Sequence, residues 1–250
     1  RAYGDDPLFA AEDPDADPDE AAQPITTRPE VTFNDDGETL VLFGTGKYIE
    51  NSDATPGEDP RVESVYGVED ASGGTVERSD LYEQTIDREE TEDGTTFRVI
   101  EPESETDFNN TNRKGWHLDL VLNDNNNGER VIFDPVLRGG RLIVNTLVPN
   151  DDPCSTGGVG WSYSLNPFSG DRLQYNVYDV NNDGDFNSSD NLGGDTVSGE
   201  KNDFGASPGS SFDAGDERYS VGSNPNGPPR VEEEPLGTLP IGRQLWRQLR

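Results

Sequence analysis

Residues 179–190 read DVNNDGDFNSSD and place oxygen-bearing side chains at alternate positions around a glycine. Asp179, Asn181 and Asp183 take the first, third and fifth positions, and Gly184 at the sixth permits a sharp turn. Calcium is a hard cation that takes about six to eight oxygen ligands, and a short loop can supply them because alternate side chains turn inward. The spacing therefore predicts a calcium site.

Three further residues complete the predicted ligand set. Asp185 would contribute its backbone carbonyl, Asn187 would bind directly or through a water molecule, and Asp190 would close the site. The shorter arm of Asp at the last position and the non-helical flanks favour a loop between strands over a helix–loop–helix site. No His or Cys lies nearby, which disfavours zinc and copper. A solvated Asn/Asp turn in a very acidic chain is the alternative interpretation.

The other candidate groups point away from catalysis. His117 is the single histidine, and its place in KGWHLDL predicts a surface or half-buried strand residue rather than a general base. Cys154 is the single cysteine, so a disulfide within the chain is excluded. FGTGKY lacks the third glycine of a dinucleotide loop and the ending of a phosphate loop, and it predicts a turn at a strand end. We therefore predict no catalytic residues.

The composition excludes several partners. Among 250 residues, 51 Asp and Glu against 19 Lys and Arg give a net charge of -32, which repels nucleic acid and anionic lipid. No stretch approaches the roughly 20 apolar residues that span a bilayer, so we predict no membrane insertion. Only 30% of the residues are apolar, a value that leans toward disorder. Because these residues gather in short runs, ordered strands joined by long acidic loops are the better prediction.

The segments on both sides of the loop and earlier in the chain have the patterns of strands. Residues 40–43 form an apolar run, and residues 114–122 alternate between apolar and polar side chains. Hairpin turns are predicted at 124–129 and at Gly139–Gly140. Residues 12–23 predict an acidic loop. Together these features indicate an all-β sandwich, barrel or propeller.

The region around the calcium loop is poor in apolar residues. Residues 171–230 are predicted to be an insertion that contains the calcium loop. Its second part, 191–230, is rich in Gly, Ser, Asn and Pro and is predicted to form a long loop. A strand, a Gly-rich turn and an aromatic residue recur along the whole chain at uneven spacing. Propeller blades need roughly 40 to 45 residues each, so about three or four blades are expected once the loops are subtracted.

Six stretches occur in the order of a known family. They are QPITTRPEV (23–31), VLFGTGKYIENSD (41–53), VYGVED (65–70), KGWHLDL (114–120), the long segment from GERVIFDP to GGVGW (128–161), and the closing GRQLW. Together they resemble the C-terminal domain of PilY-type proteins, the tip adhesins and biogenesis factors of type IV pili. The resemblance runs from about residue 7 to the end of the chain, and 128–161 is its most specific part.

The resemblance implies that residues 1–250 are the C-terminal portion of a modified β-propeller, exported to the pilus tip or outer cell surface. It implies a Ca²⁺ loop that influences pilus extension and retraction. The family often has an acid at the ninth loop position, so the neutral Asn187 would lower calcium affinity unless Asp190 compensates. The implied partners are type IV pilin or minor pilin subunits, an N-terminal part of the same protein that is missing here, and a host or abiotic surface.

Three functions compete at this point. The first is a non-enzymatic, calcium-binding pilus component in biogenesis and adhesion. The second is a quinone-dependent propeller dehydrogenase, although the chain shows no regular tryptophan repeats. The third is a calcium-dependent extracellular docking module, which would need paired calcium loops on helices, whereas one loop without helices is present.

Overall fold

The computed structural model describes residues 6–17, 19–34, 37–70, 74–102, 113–150 and 158–202, together with three short strands between 210 and 233. Within these residues the regular structure is β-strand, apart from three single turns of 3-10 helix at Asn51–Ala54, Arg78–Asp80 and Ser188–Asp190. No helix in this part of the chain has the length and apolar character to cross a membrane.

Eleven strands form one sheet. Their bounds are β1 Glu30–Phe33, β2 Thr39–Gly44, β3 Ser64–Asp70, β4 Tyr82–Glu92, β5 Thr95–Pro102, β6 Gly115–Asp119, β7 Arg130–Val131, β8 Val136–Arg138, β9 Arg141–Leu147, β10 Gly160–Leu165 and β11 Gly199–Asn202. A separate antiparallel sheet contains β12 Ser210–Phe212, β13 Glu217–Ser220 and β14 Arg230–Glu233.

The order of strands in the large sheet is not the order in the chain. It runs β1-β2-β3-β6-β4-β5-β11-β10-β9-β7, with β8 paired to β9 beside this path. Strand β6 is therefore inserted between β3 and β4, and it pairs parallel with β4 while the other pairs are antiparallel. The two insertions, β6 and β11, bring together residues that are far apart in the sequence.

The main hydrophobic core lies along the middle of this sheet and contains two of the three tryptophans. Trp116 of β6 and Trp161 of β10 are both buried, together with aliphatic residues of β2, β5 and β9. The alternation predicted for 114–122 is present, since Trp116, Leu118 and Leu120 all belong to this core. Trp116 and Trp161 are thus core residues rather than exposed platforms for a ligand.

Two predictions from local sequence are wrong. Residues 124–129 do not join a hairpin, because β6 pairs with β3 and β4, whereas β7 pairs with β9. Residues 191–230 are not one continuous loop, because Gly199–Asn202 forms β11 between β5 and β10. A Cβ at Gly199 would lie 2.9 Å from the Tyr163 ring, so glycine suits a close packing contact here rather than a flexible loop.

The predicted hairpin at Gly139–Gly140 is confirmed. β8 and β9 pair antiparallel, and both glycines have positive φ angles of 60° and 78°. This is the backbone that a tight two-residue hairpin turn requires, and glycine adopts it without steric cost. Local turn chemistry was therefore a reliable signal where the two strands are adjacent in the chain.

Candidate calcium loop

The oxygen-rich loop rests on a small hydrophobic cluster of its own. Val177, Tyr178 and Val180 point into this cluster and pack with Leu192, and β5 contributes Phe97. Asp179 and Asn181 flank the buried Val180 and are themselves partly exposed, so these two polar residues lie at the edge of the cluster. The residues from Asn182 to Ser189 are exposed, apart from the partly exposed Phe186.

The first three predicted ligands converge. The backbone N–H of Asp183 donates to Asp179 Oδ1 at 3.1 Å and to Asn181 Oδ1 at 2.9 Å, so the two oxygens approach the same nitrogen. Asp179 Oδ2 accepts the N–H of Gly184 at 2.9 Å. Gly184 has a φ of 86°, which supplies the sharp turn expected of the sixth position.

The next two predicted ligands lie on the exposed outer part of the loop. Asp183 Oδ1 accepts the N–H of Asp185 at 2.9 Å, while Asp183 Oδ2 accepts from Asn181 Nδ2 at 3.0 Å. Asn187 begins the 3-10 turn, and its side-chain oxygen accepts the N–H of Ser189 at 2.8 Å. The side chains of Asp183, Asp185 and Asn187 are accessible to solvent and to an ion.

Asp190 differs from the other five because it is fully buried, with 0% exposure. Its Oδ1 accepts the backbone N–H groups of Val180 at 2.9 Å and Asn181 at 3.4 Å, and its Oδ2 accepts that of Asn187 at 2.9 Å. Asp190 therefore closes the loop through backbone hydrogen bonds, which is a structural role beside the ligand role predicted for it.

One residue that organises the loop was missed by sequence reasoning. Asn176 is buried, and its Nδ2 donates to the carbonyl of Asn187 at 2.6 Å and to Asn191 Oδ1 at 2.7 Å. It lies outside the twelve-residue pattern, so the spacing gave no reason to select it. Its position directly before the buried pair Val177 and Tyr178 was the available signal.

The end of the loop is anchored to the sheet by charge. Asp195 pairs with Arg88 of β4 at 2.9 Å and with Arg172 at 3.1 Å. Arg88 Nη2 also donates to the carbonyl of Leu192 at 2.8 Å. Beyond these contacts the chain enters β11, which lies inside the large sheet. These contacts hold the end of the loop in one conformation, which therefore depends on how β4 and β11 pack in the sheet.

The donor set suits a hard cation. Every predicted ligand offers oxygen from a carboxylate, an amide or a backbone carbonyl, as calcium requires. The carboxylates of the loop do not form a group of three within 4.8 Å, and among the described residues that arrangement occurs at Glu83, His117 and Asp119. Calcium binding at 179–190 would thus use amide and carbonyl oxygens as well as carboxylates.

His117 and Cys154 are the single histidine and the single cysteine of the chain. His117 is buried, with 5% exposure, so the prediction of a surface or half-buried position is wrong. The reason is that β3 and β4 pair with the two edges of β6, and four consecutive buried residues show that both of its faces are covered as well. Cys154 and the segment GRQLW lie outside the described residues.

Comparison with known proteins gives consistent results. Residues 2–113 match the family described as the PilY1 beta-propeller domain. The type IV pilus biogenesis factor PilY1 of Pseudomonas aeruginosa is 34% identical over 195 residues, which cover 72% of this chain and 16% of that protein. A PilY1 homolog of Xylella fastidiosa is 29% identical over 231 residues, covering 91% of this chain and 18% of that protein.

A solved structure shows the same architecture. The crystal structure of the Pseudomonas aeruginosa PilY1 C-terminal domain superposes with a TM-score of 0.72 at 26% identity, covering 94% of this chain and 49% of that one. The chain thus spans less than a fifth of the curated relatives it matches and about half of the crystallised domain. The predicted all-β fold is confirmed. The chain therefore belongs to the PilY1 family, and its fold is the C-terminal part of that family's modified β-propeller.

Proposed function

We propose that the protein is a non-enzymatic, calcium-binding component of a type IV pilus, located at the pilus tip or outer cell surface. The observation that carries the pilus assignment is the 34% identity to a protein named as a type IV pilus biogenesis factor. The curated relatives are named for pilus biogenesis rather than for an enzymatic activity. Control of pilus extension and retraction, and adhesion to a host or abiotic surface, are the roles proposed for it.

Calcium binding is supported by the organisation of residues 179–190. Asp179, Asn181 and Asp183 would provide side-chain oxygens, Asp185 would provide its carbonyl, and Asn187 would complete the shell. The buried carboxylate of Asp190 would stabilise the loop by accepting three backbone hydrogen bonds. A bound cation would offset the repulsion between the carboxylates of Asp179 and Asp183. The first of them accepts the backbone N–H of Asp183, and the second accepts that of Asp185.

The contacts of the loop suggest how calcium would affect the rest of the domain. A ligand that binds only the folded state stabilises it by mass action, by about 2.7 kcal/mol at a concentration 100 times Kd. The stabilised segment is joined to β4 through Arg88 and to the large sheet through β11. The surface presented to pilin or minor pilin subunits, or to an N-terminal part of the same protein, would then depend on calcium.

The first test is isothermal titration of calcium into this chain and into Asp179→Ala/Asp183→Ala. Saturable binding of about one ion per chain, lost in the double variant, is the expected result. Asp185→Ala is the matched control, because its predicted ligand is the backbone carbonyl, and it should keep most of the affinity. A folded chain that binds no calcium would leave the loop as a polar turn and remove calcium from the proposal.

The pilus role needs a separate test in cells. The double variant placed in the full-length protein should alter surface piliation or twitching motility, whereas Asp185→Ala should not. If calcium binding is lost in vitro and neither phenotype changes, the loop has no part in extension or retraction. The family assignment would stand in that case, since it rests on the comparisons alone.

A further inference from the structure

The strand register brings three more side chains together away from the calcium loop. β4 runs parallel to β6 with Glu83 opposite His117. Asp119 follows His117 by two residues and so lies on the same face of β6, because side chains alternate along a strand. One ligand atom from each of the three residues lies within 4.8 Å of the other two. Two carboxylates and an imidazole therefore converge.

His117 has the features of a residue prepared for a ligand. It is 5% exposed, and its Nδ1 atom is buried without a hydrogen-bond partner in the described part of the chain. Leaving a buried polar atom unsatisfied costs about 1–3 kcal/mol, and such atoms are rare in folded proteins. An imidazole nitrogen without a hydrogen-bond partner can bind a metal ion, and histidine is the commonest metal ligand among the side chains.

Asp119 is held in place by its neighbours. Ser64, its register partner on β3, donates to Asp119 Oδ1 at 2.6 Å, and Arg78 Nη2 donates to both carboxylate oxygens at 2.6 Å. A carboxylate offers about four lone-pair positions, so Oδ2 keeps one for another ligand. The charge of Arg78 acts on Glu83 as well as on Asp119. The excess of carboxylates over cationic groups in the neighbouring cleft favours a cation over an anion.

The cluster borders an acidic cleft. Glu83 and Asp119 belong to the lining of a cleft of about 980 Å³. Nine of the lining residues carry a carboxylate, and one, Arg61, carries a positive charge. A concave surface of one sign concentrates counter-ions, so cations reach the two carboxylates readily. The acidity alone would attract any cation, whereas the nitrogen ligand of the imidazole adds selectivity.

We propose that Glu83, His117 and Asp119 bind a divalent first-row transition-metal ion, with Zn²⁺ as the probe. One imidazole and two carboxylates suit Zn²⁺, which is bound by nitrogen and oxygen ligands in about four-coordinate sites. Ca²⁺ suits the cluster less, because it takes about six to eight oxygen ligands. Three protein ligands leave a position for water or for a group entering from the cleft. This site is separate from the calcium loop and does not depend on the proposed pilus function.

The test is titration of Zn²⁺ into the full chain, with excess Ca²⁺ present to occupy the proposed calcium loop. The chain carries Cys154→Ser and has no histidine tag, because a thiolate or a tag would itself bind zinc. His117→Gln and Glu83→Gln are compared with Asp124→Asn, an exposed carboxylate of the same cleft. We expect about one site per chain, weakened at least about tenfold in the first two variants. The control should bind as the parent does.

A spectroscopic readout assigns the ligand directly. His117 is the single histidine of the chain. A signal from imidazole in the extended X-ray absorption fine structure of zinc bound to the Cys154→Ser chain would therefore identify His117 as a ligand. This measurement decides the question even where His117→Gln fails to fold. Absence of imidazole scattering, absence of saturable binding, or equal binding by Glu83→Gln and Asp124→Asn would each overturn the proposal.

Discussion

Asp190 joins the end of the oxygen-rich loop to its beginning, since its Oδ1 accepts the backbone N–H of Val180 at 2.9 Å across ten residues. The same carboxylate accepts two further backbone N–H groups and is fully buried. A residue that satisfies three buried or partly buried donors stabilises the loop whether or not a cation is bound. The two roles of Asp190, structural and ligand, can therefore be separated.

We expect Asp190→Ala to lower the free energy of unfolding by about 1–3 kcal/mol in calcium-free buffer, because its backbone donors lose their acceptor. Asp183→Ala, at an exposed position, should cost much less under the same conditions. Urea denaturation with a chelator present measures both. Equal losses in the two variants would mean that the buried carboxylate contributes no more than the exposed one.

Stability should depend on pH through Glu63. Burial raises the pKa of this carboxyl to about 7, against weaker opposing effects of a hydrogen bond from Thr45 and the charges of Arg61 and Arg130. Between the usual pKa of 4.5 and about 7, the folded state holds a proton that the unfolded state has lost. The free energy of unfolding should therefore fall as pH rises through this window, by on the order of 3 kcal/mol, and level off above it.

The measurement is urea denaturation of the parent and of Glu63→Gln at several pH values. His117 contributes a slope of opposite sign, because its pKa is lowered, so the difference between parent and variant is the informative quantity. That difference should grow between pH 4.5 and 7, with Glu63→Gln the more stable protein at the upper end. Glu58→Gln, at an exposed position, serves as control and should show no such trend.

The pair Arg98 and Glu129 should behave as a coupled unit. Arg98 Nη1 lies 2.6 Å from Glu129 Oε2, and the two side chains are 3% and 0% exposed. Glu129 also accepts from Thr146 at 2.7 Å. Removing one partner of a buried ion pair leaves an uncompensated charge and costs about 3–5 kcal/mol. Arg98→Met should therefore destabilise strongly.

A double-mutant cycle tests this coupling. Arg98→Met/Glu129→Gln should be more stable than the sum of the two single losses predicts, since the second change removes the buried charge that the first leaves behind. Strict additivity of the two losses would show that the two side chains do not interact. Arg98 Cζ also lies 3.8 Å from the Trp161 ring centroid, so the fluorescence of Glu129→Gln, which keeps the arginine, reports whether that contact survives.

Gly170 and Gly94 give a matched pair for the packing around Trp116. Both have positive φ, 74° and 87°, but a Cβ at Gly170 would lie 2.2 Å from Trp116 Cε3, whereas a Cβ at Gly94 meets nothing within 4 Å. Gly94→Ala should cost about 1–2 kcal/mol for its backbone alone. Gly170→Ala should cost about 1–3 kcal/mol more, through overpacking against a fully buried ring. Thermal unfolding compares them, and equal shifts would refute the steric explanation.

The sequence by itself determined several of the strands, one hairpin turn and the spacing of oxygen-bearing side chains in the loop. These are local properties: alternation placed Trp116, Leu118 and Leu120 in the core, and paired glycines made the turn between β8 and β9. The oxygen-rich spacing of residues 179–190 is also local, and the calcium site predicted from it stays a prediction. A local turn signal was sufficient where the flanking strands pair with each other, as β8 and β9 do, and insufficient at 124–129, where they do not.

The tertiary structure decided what depends on pairing across the chain. Residues 199–202 have the composition of a loop, yet they form a strand because β5 and β10 leave a place between them that a chain with Gly199 can fill. His117 is buried, and lies beside Glu83, because β6 is inserted between β3 and β4. Such pairings depend on which separate strands meet edge to edge, and no periodicity within a single segment encodes that choice.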